Sequence, residues 1–364
     1  MSLHLMNRFF RRFFPVPSFI ATPFFGLDIS DESLKFIDLK NTKNGMEVGQ
    51  HGERVIPLGI IQSGKIKNTK KMEEILSKLQ SEIGVRSVRV SLPEEQVYLF
   101  KLRLEKFGVV NIRESIELAL EEHVPLQASD AIFDYELLDQ DKDSIELQVA
   151  AIPKNIIEDY LAIFKNVGIN VQSFELQAQA ISRAVVKNGD LETYMIVDFG
   201  ERRTGIFIIS RGVVMFTSTL DVGGVMLDEM LAKNFKINVE EAEKMKRKFG
   251  LMRNVENQEV FPVLLNSVSV LRDEVLKHFL YWHTHKDGEG GDNPPIKKII
   301  LCGGDSNLMG LSDYLTISMK TKVEMANVWV NIVDTERHIP NIDFKRALSF
   351  AAALGLVLRG YENN

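Results

Sequence analysis

Met195-Ile196-Val197-Asp198-Phe199-Gly200-Glu201-Arg202-Arg203-Thr204-Gly205-Ile206-Phe207-Ile208-Ile209 is an apolar strand ending on an aspartate, a polar turn, and a second apolar strand. Phe25-Gly26-Leu27-Asp28-Ile29-Ser30-Asp31-Glu32-Ser33-Leu34-Lys35-Phe36-Ile37-Asp38-Leu39 repeats that plan near the start of the chain. Each segment places a carboxylate at the mouth of a strand, where a turn exposes backbone N–H groups. Two such hairpins facing each other from similar domains can clamp nucleotide phosphates through those N–H groups. Asp28 and Asp198 would then hold Mg²⁺, directly or through its waters.

A chain of 364 residues has room for two to three domains with buried cores. Its 45% hydrophobic and 26% charged content is ordinary for a globular protein. The net charge of −6 argues against a dedicated nucleic-acid binder, which needs a dominant basic face. Cys302 is the only cysteine, so an intrachain disulfide is excluded and a reducing, cytosolic setting fits. No apolar run reaches the roughly 18–20 residues needed to cross a bilayer. Arg8, Arg11 and Arg12 alternate with Phe9, Phe10, Phe13 and Phe14 before Pro15, Pro17 and Pro23. Two readings stay open for this segment: a basic-aromatic patch for an anionic membrane surface or a partner, or a frayed tail folded back on the body.

Periodicity sketches the organisation. Strands are expected at 25–30 and 33–39, turns at Asn44-Gly45 and Gly49–Gly52, and a further strand near 53–58. Residues 71–83 place Met72, Ile75, Leu76, Leu79 and Ile83 on one helical face, and Val88–Leu92 is a buried strand stopped by Pro93. Residues 95–168 form a separate α+β unit: a strand at Val97–Leu104, a helix at Ile112–His123, and paired strands at Ile132–Leu138 and Ile145–Ile152. A helix from Pro153 to Gly168 ends the unit. Val171–Phe174 and Leu176–Lys187 are expected as strand and helix. The second domain starts at Tyr194, with helices from Met226, at 239–249 and at Val260–Trp282, and a Gly/Asp/Pro-rich linker at Lys286–Pro295. Ile299–Leu301 feeds the turn Cys302-Gly303-Gly304-Asp305-Ser306. Ala347–Leu358 is a small-residue helix in which Ala351, Ala352 and Gly355 permit close packing.

This arrangement resembles the actin/Hsp70/hexokinase superfamily and, within it, the FtsA-like PilM family of type IV pilus assembly proteins. The resemblance spans residues 24 to 360, with five motifs in order. Asp28–Lys35 resembles the first phosphate loop, Gln177–Ala184 the first connecting helix and Asp198–Thr204 the second phosphate loop. Leu301–Leu311 resembles the adenosine loop, and Arg346–Leu358 the second connecting helix. The implied fold is α/β, an actin-like ATPase fold of two duplicated ribonuclease-H-like domains carrying an inserted FtsA/PilM-type α+β subdomain. The implied division is a tail over 1–23 and a first subdomain over 24–94 and 169–193, interrupted by the insert at 95–168. A second subdomain follows over 194–225 and 296–345, interrupted by a small subdomain at 226–295, and a connecting helix at 346–364 returns to the first domain.

The resemblance implies ATP and Mg²⁺ as ligands, and a site that draws on both phosphate loops. Lys35 lies seven residues after Asp28 and would reach the phosphates as a point charge; the alternative is a solvated lysine on a strand edge. Ile29 and Ser30 in the first loop, Gly200, Glu201 and Thr204 in the second, and Gly223 and Gly224 complete the phosphate side. Thr204 can donate a hydroxyl, and Arg202 and Arg203 are either phosphate partners or exposed turn residues. Gly303, Gly304 and Asp305 suit a base or ribose lying on the backbone, with Glu243 and Lys246 as the family's ribose/adenine pair. Gln177 or Gln179 would position a water. One departure is clear: Ser30-Asp31-Glu32 stands where the family has glycine and a small hydroxyl residue. Two acids facing phosphate would each cost on the order of 4 kcal/mol at ~4 Å and an effective dielectric near 20. Weakened binding or a changed loop path is the expectation. His278, His283, His285 and Asp287 lack the spacing of one helical face, leaving metal binding or surface histidines as readings.

Superfamily membership does not choose between kinase, chaperone, filament and adaptor. No base for a kinase is assignable, and after Asn364 no chaperone substrate domain or FtsA-type membrane helix is expected. The family implies an ATP-binding adaptor with slow or no hydrolysis, at the inner face of the cytoplasmic membrane. Its partner would be the N-terminal cytoplasmic peptide of PilN, with other pilus inner-membrane components reached through it and homo-oligomers possible. The alternative is an FtsA-like cytoskeletal or cell-division protein that polymerises with ATP.

Overall fold

β1 (Phe25–Ile29) is buried along its whole length, the pattern of a strand covered on both faces. The structure, a computed structural model, describes residues 24–42, 45–106, 111–253, 255–285, 291–332 and 340–362. The basic-aromatic segment 1–23 and residues 286–290 of the linker, Asp287 among them, therefore lie outside the described residues. β1 is the centre of a five-stranded sheet. β2 (Ser33–Thr42) and β3 (Gly45–Val55) follow antiparallel on one side. The expected turn at Gly49–Gly52 and the strand near 53–58 are instead one strand, β3. A Cβ on Gly49 would lie 2.0 Å from the Asp38 carboxylate, and one on Gly52 would lie 2.7 Å from the Phe36 ring. These glycines admit large neighbours across the ladder; they do not reverse the chain.

After the small hairpin β4 (Ile61–Gln62) and β5 (Lys65–Ile66), helix α1 (Thr69–Ile83) packs Met72, Leu76 and Leu79 on the sheet. Asn68 caps its start by accepting the Lys71 N–H at 3.1 Å, and Gly84 ends it at φ 70°. β6 (Ser87–Leu92) runs parallel to β1. The chain then leaves the sheet. β7 (Tyr98–Glu105), helix α2 (Ile112–His123), β8 (Ala131–Gln140) and β9 (Ser144–Pro153) build a separate sheet of order β7-β9-β8 over its own small core of Leu102, Ile116, Leu147 and Val149. Helix α3 (Lys154–Asn166), expected inside the insert, packs elsewhere. Ile156, Ile157, Tyr160, Ile163 and Phe164 join Leu27, Leu76 and Val88 in the first core, because the apolar face of α3 is wide enough to pair with α1. β10 (Asn170–Leu176) then closes the sheet order β10-β6-β1-β2-β3.

Helix α4 (Gln177–Val185) leads to the second half, which repeats the plan. β11 (Thr193–Phe199) is central, with β12 (Thr204–Ser210) and β13 (Val213–Leu220) antiparallel on one side. Helices α5 (Gly224–Phe235), α6 (Val239–Phe249) and α7 (Val260–Thr284) precede β14 (Ile296–Cys302), which lies parallel to β11. Helix α8 (Leu311–Met319) and β15 (Val323–Met325) complete the order β13-β12-β11-β14-β15. The last helix, α9 (Ala351–Glu362), crosses α4 so closely that a Cβ on Gly355 would lie 1.6 Å from the Ala180 carbonyl oxygen. One core joins the halves there: Ile37 from the first sheet, Ile196 and Phe207 from the second, Ala178 and Ile181 from α4, and Leu354 from α9. Each fully buried aliphatic side chain in it contributes about 1.5–3 kcal/mol. Among the described residues no helix is long and apolar enough to cross a membrane.

Candidate functional site

The carboxyl ends of β1, β6, β10 and β11 converge between the halves, the end of a parallel sheet where ligands bind in open α/β folds. Asp28 is buried and accepts the Ser91 hydroxyl at 2.7 Å, and the same oxygen of Ser91 accepts the Ile29 N–H at 3.2 Å. Asp198 accepts the Gln177 side-chain amide at 3.4 Å and the Cys302 thiol at 3.8 Å. Burial and then the charge of Asp28 push the Asp198 carboxyl up to about 6, against the pull of Lys35 and the Cys302 hydrogen bond. Asp28 is raised too, by burial, with Lys35 and the Ser91 bond opposing. Burial and the Asp198 charge push the Cys302 thiol well up, so it stays a neutral donor. Lys35 stands opposite Asp28 in the β1–β2 register and donates to Ser33 Oγ at 2.7 Å, with Glu53 at 3.3 Å. A buried and a half-buried carboxylate, both raised and the Asp28 charge adding to the rise of Asp198, with one lysine beside them, fit a divalent cation, which offsets what now favours protonation.

The first loop turns without glycine. Ser30 N–H donates to Ser33 O at 2.9 Å and the Ser30 hydroxyl accepts the Ser33 N–H at 3.1 Å, and Ser30 is not among the positive-φ residues. Asp31 and Glu32 each have partners within the protein. Asp31 accepts the N–H groups of Ser63 at 2.9 Å and Gly64 at 3.0 Å and meets Arg203 at 3.0 Å, while Glu32 pairs with Arg202. Ion pairs between the two loops thus engage both acids.

In the second loop Gly200 N–H donates to Arg203 O at 3.0 Å, and Gly200 O and Glu201 O accept the Gly224 and Val225 N–H groups at the start of α5. Thr204 is fully buried and its hydroxyl donates to Val222 O at 2.6 Å. Its single proton is spent on that carbonyl, so Thr204 holds the turn and does not donate to phosphate. Glu201 is exposed at the rim and its carboxyl is raised, first by partial desolvation and then by Asp305.

At the far end, Gly223 and Gly224 open α5. A Cβ on Gly223 would lie 2.4 Å from the Glu201 carbonyl, and one on Gly224 would lie 2.2 Å from the Asp305 carboxyl. Gly303 (φ +88°) passes so close to β11 that a Cβ would sit 2.6 Å from Asp198 Oδ1; Gly304 is open, with only Ser349 within 3.8 Å. The backbone at Gly304 is thus open to close approach. Lys246 is not available to a ribose in this arrangement. Its ammonium donates to Gly224 O at 3.1 Å, Asp228 at 2.8 Å and Asp305 at 2.8 Å, which uses all three protons. Glu243 faces Arg247 at 2.6 Å on an exposed helix surface. The expected pair is therefore split.

The two glutamines separate as well. Gln177 reaches Asp198, whereas Gln179 donates to Glu136 of β8 at 2.7 Å and points to the inserted sheet. The histidines are bonded within the protein: His278 to Ser218 Oγ at 3.0 Å, and His283 accepts the Ile296 N–H at 3.3 Å. Among the described residues no group of three or more His, Cys, Asp and Glu side chains is placed to hold a metal ion. Ser91, Glu94 and Asp228 escaped the sequence reading. Glu94 is buried, accepts the Ala178 N–H at 3.4 Å at the start of α4, and is pushed by burial to about 7. Nothing in Pro93-Glu94-Glu95 distinguishes it from its exposed neighbour.

The profile of the family described as type IV pilus assembly protein PilM matches residues 26–361. The chain belongs to that family. A chain of the PilM–PilN type IV pilus biogenesis complex superposes with a TM-score of 0.74 at 20% identity, over 92% of this chain and 98% of that one. MreB5 of Spiroplasma citri bound to ADP superposes with a TM-score of 0.55 at 15% identity, over 94% and 99%. The ethanolamine utilization protein EutJ of Escherichia coli (strain K12) is 28% identical over 123 residues, which is 34% of this chain and 37% of that protein. At these identities the structural likeness shows the fold, an actin-like ATPase fold; the family places the chain in type IV pilus assembly.

Proposed function

We propose that this family member is a nucleotide-binding adaptor of the pilus assembly platform at the inner face of the cytoplasmic membrane. Mg-ATP bound between its halves would set how it holds the N-terminal cytoplasmic tail of a PilN-type membrane protein. The carrying observation is the convergence of Asp28, Asp198, Lys35 and Gln177 from both halves at one cleft. Asp28 and Asp198 would hold Mg²⁺, which supplies charge neutralisation between carboxylate and phosphate oxygens. Lys35 would meet phosphate, the two turns would offer backbone N–H groups other than those of Ser30 and Gly200, which close the turns, and Gly304 would leave room for the base or ribose. Gln177, bonded to Asp198, is the residue placed to orient a water, and turnover would be slow or absent.

The partner assignment rests on the solved PilM–PilN complex, whose chain shares this fold over nearly its whole length. The inserted sheet contacts the connecting helix through Gln179 and Glu136, so a ligand between the halves and a peptide at the insert would bias the same element. The test is titration of a PilN tail peptide onto the full chain with and without Mg-ATP. Unequal affinities are expected, and equal ones remove the coupling. Absence of Mg-ATP binding would remove the nucleotide part and leave the adaptor reading to the peptide alone.

A further inference from the structure

Arg203 touches four segments at once. On the turn between β11 and β12, its guanidinium meets Asp31 of the first phosphate loop at 3.0 Å and Ser63 Oγ of the β4–β5 hairpin at 3.3 Å. It also pairs with Glu95, and meets Asp221 of its own half at 3.4 Å. Asp221 is almost fully exposed, at 94%, whereas Arg203, Asp31 and Glu95 are 28%, 22% and 24% exposed. The three partners from the first half therefore carry the contact. A planar fork of five donors in fixed geometry suits such bridging, and a lysine ammonium does not.

The position of Glu95 gives this hub its meaning. Glu95 lies in the 3₁₀ turn Glu94–Gln96, which leads directly into β7, the first strand of the inserted sheet. From behind, the turn is held by its own half: Glu94 accepts the Ala178 N–H, and Gln96 donates to Ser63 O at 2.8 Å. From the front it is held by Arg203 of the other half. Parting the two phosphate loops has to draw Arg203 from Asp31 and Glu95 together, because one guanidinium makes both contacts. We propose that Arg203 couples closure of the cleft to the setting of the inserted sheet. With the loops together, Arg203 pins the entry turn of the insert; with the loops apart, that turn is held from one side only. The adjacent Arg202–Glu32 pair ties loop to loop but does not reach the insert, so coupling rests on the Arg203–Glu95 contact. The idea depends on the nucleotide-binding reading only for what closes the cleft.

Hydrogen exchange on the full chain tests it, because both ends have reporter amides. Gln96 N–H bonds to Pro93 O and Val97 N–H to Glu94 O in the entry turn, and Ser30 N–H bonds to Ser33 O in the loop. Glu95→Gln takes the charge out of the front hold alone, and Arg203→Met cuts the whole hub. Without ligand, both variants should exchange roughly three- to tenfold faster at Gln96 and Val97, the range expected for a partly buried charge-assisted pair. Only Arg203→Met should also loosen Ser30. With Mg-AMPPNP as probe, the wild type should slow at all three amides, and Glu95→Gln at Ser30 alone. High salt should move the wild-type pattern toward that of Arg203→Met. Unchanged exchange at Gln96 and Val97 in both ligand-free variants would overturn the proposal, and so would probe-induced protection there in Glu95→Gln. If the probe slows nothing at Ser30 in the wild type, the nucleotide reading fails, and the ligand-free comparison still decides the role of Arg203.

Discussion

Replacing Asp198 with Asn should make the ligand-free protein more stable and the Mg-nucleotide complex less so. The Asp198 carboxyl is displaced from the usual 3.8 to about 6, about two pH units. Each unit corresponds to about 1.36 kcal/mol, so the charged form costs the native state up to about 3 kcal/mol above pH 6. The sign follows from proton binding. Between 3.8 and 6 the native state holds a proton that the unfolded chain has released, so stability falls as pH rises through that window and the whole cost is present at pH 8. Asn carries no charge and removes the slope. It keeps an oxygen for the Cys302 thiol, and the Gln177 amide can flip to accept from the new NH₂. Urea unfolding at pH 5, 6.5 and 8 should show a gain of about 1–3 kcal/mol at pH 8, shrinking toward pH 5. Adding Mg-ATP at a hundredfold excess over Kd should stabilise the wild type by about 2.7 kcal/mol and the variant by much less. A variant that is less stable than wild type at pH 8, or that gains as much from Mg-ATP, would refute the reading of Asp198 as a metal-side carboxylate held under electrostatic strain.

Glu94→Gln should flatten a second slope: the Glu94 carboxyl sits near 7 instead of 4.5, so the wild type loses stability as pH rises through 7, by up to about 3 kcal/mol, and pH-dependent denaturation of the variant should lack that loss. Lys246→Met strands the buried Asp228 and the Asp305 carboxylate, and calorimetry or urea unfolding should show a loss of about 3–5 kcal/mol, partly recovered by adding Asp228→Asn. Gly355→Val drives a side chain into the Ala180 carbonyl where the two connecting helices cross; about 3 kcal/mol or more should be lost in unfolding experiments, because backbone has to move.

The hairpins at Asp28 and Asp198 were legible because a strand buried on both faces is a continuous apolar run, and a carboxylate at its end interrupts it. The small-residue helix was legible for a similar reason: Gly355 means close approach whatever the partner. What the sequence left hidden depends on how distant segments meet. Gly49 and Gly52 carry turn chemistry in isolation and become strand residues only because Asp38 and Phe36 lie across the ladder. Gln177 and Gln179 are equivalent in composition, but two steps along a helix rotate a side chain by about 200°, and one faces Asp198 while the other faces the insert. Asp31 and Glu32 read as a handicap beside phosphate until Arg202 and Arg203 are seen opposite them. Helix α3 carries an apolar face but no label saying which core it completes.

The charge balance of the cleft makes the metal decisive for any nucleotide. Glu53 acts on the ionisation of Asp28, Asp28 on that of Asp198, and Asp305, Glu53 and Glu243 on that of Glu201. Against them stand Lys35, which already meets Glu53, and Lys246, whose three protons are taken. Arg202 and Arg203 are engaged by the acids of the first loop. A phosphate oxygen at ~5 Å from an unneutralised carboxylate costs about 3 kcal/mol at an effective dielectric of 20, so nucleotide without metal meets repulsion from several sides. Mg²⁺ at Asp28 and Asp198 reverses the sign where that repulsion is strongest. Binding of ATP measured by calorimetry should therefore vanish in EDTA. In Mg²⁺ it should weaken as pH falls through about 6, where the proton that Asp198 takes up competes with the metal. Tight binding of metal-free ATP, or Mg-ATP affinity unchanged from pH 8 to pH 5, would mean that the phosphates rest on groups other than this carboxylate pair.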